Sequence, residues 1–224
     1  KETENMENNL KNLFNKNLLL RLSSLIIFIP LMLLPIIVSN YLLFIVYIFF
    51  NAVILHEMQL MKVDDGKKKL LIIYKTLITF IFFIFILIKI TAVMTSIDLI
   101  EIIIAIWLFD TFSFLGGKII GGKKLMPSIS SGKTQSGLLV GITATLFSFY
   151  IYSIIVSNYS LKYLLFISII ILFAFLGDVI ASIIKRMSSI KDSGSIMPGH
   201  GGLLDRLDSF IGVFFFIGIY QLLS

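Results

Sequence analysis

The chain has 224 residues, of which 58% are hydrophobic and only 14% charged, an apolar share far above that of an average soluble domain. It contains no cysteine, which excludes a disulfide framework, thiolate metal ligands and a cysteine nucleophile. The net charge of +6 would suit nucleic acid, but its placement along the chain argues for membrane topology instead.

Apolar runs near the roughly 20 residues needed to cross a bilayer recur at 20–38, 41–56, 70–88, 98–115, 136–156, 163–183 and 207–223. They predict an all-α, polytopic membrane protein of about seven transmembrane helices with its long polar loops on one side. The first run follows Lys11, Lys16 and Arg21 as a secretory signal would, yet it holds Pro30 and Pro35 and no small-residue cleavage site follows. It is read as a retained span. Segments 1–21, 57–69, 116–135 and 184–206 each carry four Lys or Arg, 16 of the chain's 19. Seven spans put all four on one side, so the positive-inside rule assigns them to the cytoplasm and leaves no nucleic-acid role. Lys75 and Lys89 can snorkel from the ends of the third span, and Lys162 falls in a short loop on the other side.

Along the chain, His56-Glu57 at the end of the second run reads as interfacial anchoring, and Asp64 to Lys69 as a plain turn with a basic flank. No internal repeat is apparent, which counts against transporters built from duplicated halves. The organisation expected is a single membrane unit, with N-terminal spans over 1–97 and a C-terminal region over 98–224 that holds the acids discussed next.

Ionisable groups inside spans are costly and usually functional. Asp110 and Asp178 lie about six and seven residues before the cytoplasmic ends of their runs, roughly 10 Å deep at ~1.5 Å per residue. Asp205 and Asp208 open the last run from the same side, so all four carboxylates reach one depth. Asp178, Ser182 and Lys185 follow i, i+4, i+7 and share a helix face, as do Asp205 and Asp208 if that helix begins by Leu204. Four acids at one shallow depth repel each other unless a cation sits among them, and Mg²⁺ held by carboxylates and phosphate oxygens resolves the conflict. Blander readings exist: Asp205 and Asp208 as helix N-terminal acids, Asp178 as a partner of Lys185 or Arg186, Asp110 as a helix-packing hydrogen bond.

The glycine-rich segment 116–122 is either a helix-packing motif, with Gly117 and Gly121 four apart, or a phosphate-cradling turn. Lys118, Lys123, Lys124 and Lys133 around it favour the anion. Gly132-Lys133-Thr134 is not a P-loop, because Pro127 stands where the first glycine is required and no strand precedes it. His200 lies in Pro198-Gly199-His200-Gly201-Gly202, which cannot be regular helix, and can serve as a phosphate donor, a metal ligand or a solvated bystander.

The block Ser182, Lys185, Arg186, Lys191, Asp192, Gly194, Met197, Pro198, His200, Gly201, Gly202, Asp205, Arg206, Asp208 resembles the signature of the phosphatidate cytidylyltransferases, with Met197 in place of the usual Leu, Ile or Phe. A looser similarity covers Asp110-Thr111, the Gly116–Gly122 turn, Pro127 and Gly132-Lys133-Thr134. There the chain departs from the family: Ser136 stands for an acid, Gln135 for an aromatic and Ser131 for a proline. The resemblance covers mainly 105–210.

The resemblance implies transfer of CMP from CTP to phosphatidate, with Mg²⁺ and room for a second monovalent or divalent cation, by a homodimer in the cell's inner membrane. On it, Asp178 and Asp205 are the principal metal ligands, with Asp192 and Asp208 as further ligands. Lys185, Arg186, Lys191 and Arg206 clamp phosphates, while Ser182 and His200 donate hydrogen bonds. Asp110, Lys118, Lys133, Thr134, Gly201 and Gly202 are the remaining substrate-binding candidates. The rivals are a CTP-dependent polyprenol or lipid-alcohol kinase and, outside enzymes, a cation transporter.

Overall fold

The computed structural model describes residues 16–91, 94–156, 160–197 and 201–223. Helices dominate in the order α1 (Lys16–Val38), α2 (Asn40–Gln59), α3 (Asp65–Ile90) and α4 (Ser96–Ile119), then α5 (Gln135–Ile155), α6 (Leu161–Met187) and α7 (Leu204–Leu223). Between α4 and α5 lies a short antiparallel hairpin of β1 (Lys124–Met126) and β2 (Ser130–Thr134). Each apolar run thus becomes one helix, most of them longer than the hydropathy alone suggested. Asp65 to Lys69 form the first turn of α3 rather than a free turn.

Helices α2 to α6 are long and apolar enough to cross a membrane, and within α1 the described apolar stretch is Ile26–Val38. Phe49, Phe80, Phe83, Phe147, Ile155 and Leu172 stand exposed around them, the outward apolar surface of a multi-pass membrane protein.

Local signals fix the helix starts. Ser39 accepts the amide of Leu42 at 3.1 Å to cap α2. Thr95 and Asp98 form a reciprocal capping box on α4, with Thr95 N donating to Asp98 Oδ2 at 2.8 Å and Asp98 N to Thr95 Oγ1 at 3.2 Å. Thr134 closes β2 and caps α5 by accepting Gly137 N at 3.1 Å.

Inside, Tyr47, Phe85 and Phe214 stack with ring centroids 5.0 and 3.9 Å apart, joining α2, α3 and α7. The Tyr47 hydroxyl donates to Met32 O at 3.3 Å, which satisfies a buried polar group. Toward the other end, Glu101 on α4 accepts Tyr152 Oη at 2.7 Å and Tyr163 Oη at 2.9 Å, tying α4, α5 and α6 together. Asp98 and Glu101 therefore have structural partners.

Helices α6 and α7 cross at two glycines. A Cβ on Gly177 would lie 2.5 Å from Asp208 O, and one on Gly212 2.2 Å from Phe173 O, so any side chain there would force the helices apart. This close crossing sets Asp178 of α6 beside the Asp205 to Ser209 end of α7.

Candidate active site

Asp110 lies nine residues before the end of α4, and Asp178 nine before the end of α6. At ~1.5 Å per residue each stands about 14 Å along the axis from its helix end, because both helices extend beyond their apolar runs. They share a cavity of about 370 Å³, a volume suited to a small ligand. Its walls include Asp110 on α4, Lys133 and Thr134 on β2, Asp178 on α6, and Asp205, Arg206 and Asp208 on α7. Four carboxylates from three helices meet there.

Cations stand among them. Lys133 Nζ lies 2.8 Å from Asp178 Oδ2 and 4.9 Å from the centroid of the Phe175 ring, so the hairpin is held against α6 by an ion pair and a cation–π contact. Lys185 Nζ donates to Asp205 Oδ1 at 2.6 Å and lies 3.7 Å from Asp208 Oδ2. Its side chain is only 9% exposed, which an ammonium tolerates because it has partners. Ser182 donates to Asp178 Oδ1 at 3.3 Å, so the expected polar stripe on α6 forms as one face. Ser209 bridges the remaining pair, donating its amide to Asp208 Oδ1 at 2.9 Å and its hydroxyl to Asp110 Oδ1 at 3.4 Å.

The signature loop between α6 and α7 folds back on Asp205. Its Oδ2 accepts Ser193 N at 2.8 Å and Gly202 N at 2.9 Å. A bridge between Met197 and Gly201 narrows the loop, with Met197 N donating to Gly201 O at 2.9 Å. Arg186 is spent on backbone: Nε donates to Ile129 O at 2.9 Å and Nη1 to Ile190 O at 2.7 Å, which joins the hairpin turn to the signature loop.

Several expected residues stand elsewhere. Lys118 is exposed, 5.8 Å from the Phe114 ring centroid, and does not line the cavity. Lys191 and Asp192 are exposed in the loop, also off the cavity wall, because Ser193 and not Asp192 turns inward. Arg186 faces the carbonyls just named. His200 lies outside the described residues.

Segment 116–122 divides between the last turn of α4 and a tight turn after it. Gly116 and Gly117 end α4 packed against Val140 and Thr134, while Gly121 and Gly122 turn the chain at φ 69° and 100°. Ser136, at the position where an acid was expected, donates its hydroxyl to Gly121 O and so fastens that turn. Gly132-Lys133-Thr134 lies in a strand pointing its lysine into the cavity, which is not P-loop geometry.

Glu57 was missed. It is 1% exposed rather than anchored at an interface, and it accepts hydrogen bonds from the signature loop. The signal was present: Glu57 follows Phe50 and Ile54 at i+7 and i+3, on the buried stripe of α2.

Comparison with known proteins settles the family. Residues 9–223 match the cytidylyltransferase family. The chain belongs to it. A protein of Rickettsia bellii named phosphatidate cytidylyltransferase is 48% identical over 128 residues, 51% of this chain and 55% of that protein. Proteins of the same name from Staphylococcus saprophyticus and Bacillus subtilis are 44% identical over 112 residues and 42% over 119, covering 49% and 51% of this chain and 43% of each of those proteins. The chain spans about half the length of the relatives it matches.

Proposed function

We propose that this cytidylyltransferase-family protein transfers CMP from CTP to phosphatidate, giving CDP-diacylglycerol and pyrophosphate. The observation that carries the reading is the single cavity in which Lys133 and Arg206 face the carboxylates of Asp110, Asp178, Asp205 and Asp208. A phosphate oxygen of phosphatidate attacks the α-phosphorus of CTP, and the bond from that phosphorus to the bridging oxygen breaks as pyrophosphate leaves. Phosphatidate's monoester is already largely ionised near neutral pH, so no strong base is needed. The demand is to hold two anions in line and stabilise the departing charge.

Among the described residues no three acids form a ready-made metal cage. Mg²⁺ does not need one, since it binds through one or two carboxylates together with substrate phosphates and water. The donor set suits it: hard carboxylate oxygens at a cavity wall, each balanced in the free protein by Lys133 or Lys185 within 2.8 Å at Asp178 and Asp205. Asp178 and Asp205 would hold the ion, with Asp208 and Asp110 beside them and Asp192 further out in the loop. Bound there, Mg²⁺ would supply positive charge to offset that of the phosphates.

The chain's own residues do the remainder. Lys133, Lys185 and Arg206 hold phosphate oxygens and neutralise the developing charge on pyrophosphate. Ser182 keeps Asp178 aimed into the cavity. The six apolar runs before α7, and α7 itself, are seven spans with the hairpin and signature loop in the cytoplasm. The headgroup then enters the cavity while its acyl chains stay in the bilayer. Residues 98–224 form the catalytic region of a homodimer in the inner membrane, with 1–97 as supporting spans.

Turnover of CTP with phosphatidate by the purified chain, with and without Mg²⁺, tests the reading. Lipid-linked CMP that requires both phosphatidate and Mg²⁺ is expected. Its absence at every Mg²⁺ concentration would refute the assignment.

A further inference from the structure

Glu57 stands in the last turn of α2, far in sequence from the signature loop, yet three donors from that loop and the start of α7 converge on its carboxylate. Leu203 N donates to Oε1 at 2.7 Å, while Leu204 N and Ser193 Oγ donate to Oε2 at 3.0 and 2.8 Å. A carboxylate this buried is tolerable only when hydrogen-bonded, and here it faces the first amides of α7, the positive end of that helix. Glu57 thus caps α7 from another helix. The backbone comes close enough that a Cβ on Gly202 would lie 2.6 Å from Glu57 Oε2.

Asp205 grips the same loop from the cavity side, through Ser193 N and Gly202 N. The Ser193 hydroxyl has one proton and two carboxylates in reach, Glu57 at 2.8 Å and Asp205 at 3.2 Å. Its shorter contact is to Glu57. Were Asp205 the sole anchor, any ligand that drew Asp205 away from Lys185 would pull the loop with it.

We propose that Glu57 is a positioning residue that latches the signature loop from the side away from the cavity, so that Asp205 can exchange Lys185 for a ligand while Ser193, Gly202 and the start of α7 keep their places. This rests on the reading of the cavity as the site of cytidylyl transfer.

Glu57→Gln in the purified full chain tests it, because the amide has the same shape but one acceptor oxygen for three donors. Amide hydrogen exchange at Leu203 and Leu204 is expected to quicken by about tenfold or more, the effect of losing hydrogen bonds to a buried charge. Turnover is expected to fall by about a hundredfold through misplacement of Asp205 and Arg206. Because Glu57 touches no substrate, kcat and kcat/KM should fall together. Ser193→Ala, which keeps Glu57 on the two amides, should leave exchange at Leu203 and Leu204 near wild type and lower kcat less.

Unchanged exchange in Glu57→Gln would overturn the latch, and faster exchange with wild-type kcat would overturn its positioning role. If Glu57→Gln does not fold, Ser193→Ala decides, a wild-type kcat in that variant counting against the proposal. A wild-type chain inactive with CTP and phosphatidate, beside faster exchange in Glu57→Gln, would sink the cytidylyl reading and leave the latch established.

Discussion

Lys133 on strand β2 stands 2.8 Å from Asp178 on α6, so an ion pair fastens the small hairpin to that helix at the wall of the carboxylate-lined cavity. Removing the ammonium leaves Asp178 without that counter-charge and takes one cation from the cavity wall. Lys133→Met is expected to lower kcat/KM for CTP by roughly 10²–10³-fold, the usual cost of a missing charge-stabilising donor. Steady-state kinetics with varied CTP would show it.

Asp178→Asn and Asp205→Asn should each reduce CTP-dependent product formation on the order of a thousandfold, since each removes a carboxylate charge from the cavity. Both should remain monodisperse in detergent: Asn keeps an oxygen for Ser182 in the first case, and in the second it keeps one for Ser193 and Gly202 while Asp208, 3.7 Å away, still partners the buried Lys185. Turnover near wild type in either variant would remove that residue from the site.

Gly177→Ala tests the crossing that sets this geometry. The added methyl would meet Asp208 O at 2.5 Å and Gly212 N at 2.8 Å, backbone atoms that cannot swing aside. A loss of about 1–3 kcal/mol is expected, the usual cost of overpacking, seen as a lower unfolding midpoint in detergent. Activity should drop with it, because Asp208 moves with its backbone.

Tyr163→Phe serves as the contrast. It deletes the hydrogen bond to Glu101 at the other end of the bundle, 2.9 Å long, and should cost about 1–3 kcal/mol of stability for a bond to a charged group. Turnover should stay within about twofold, since distant sites act independently. A large loss of activity would mean that the two ends are coupled.

Much of this architecture was legible in the residues. Apolar runs located every helix among the described residues, and the i, i+4, i+7 spacing put Asp178, Ser182 and Lys185 on one face, as found. The partners were less legible, because pairing depends on which helices touch. Asp178 pairs with Lys133 from the hairpin, whereas Lys185 reaches across to Asp205 and Asp208. The hairpin carries no alternating pattern, its strands spanning Lys124–Met126 and Ser130–Thr134, so nothing local announced it. Arg186 and Asp192 are site candidates by type, but Arg186 gives two of its donors to backbone carbonyls and lies off the cavity wall, and the loop turns Ser193 inward in place of Asp192. The burial of Glu57 was legible in its spacing from Phe50 and Ile54, but its partners were not, since its three donors lie more than a hundred residues away.

Isotope position in the product tests the central claim most directly. CTP labelled at the α-phosphorus, or separately at the γ-phosphorus, is incubated with phosphatidate, Mg²⁺ and the purified chain, and the lipid fraction is counted. Cytidylyl transfer predicts that the α-label enters the lipid and the γ-label leaves as pyrophosphate. Lipid carrying the γ-label and no α-label would show phosphoryl transfer instead and contradict the account.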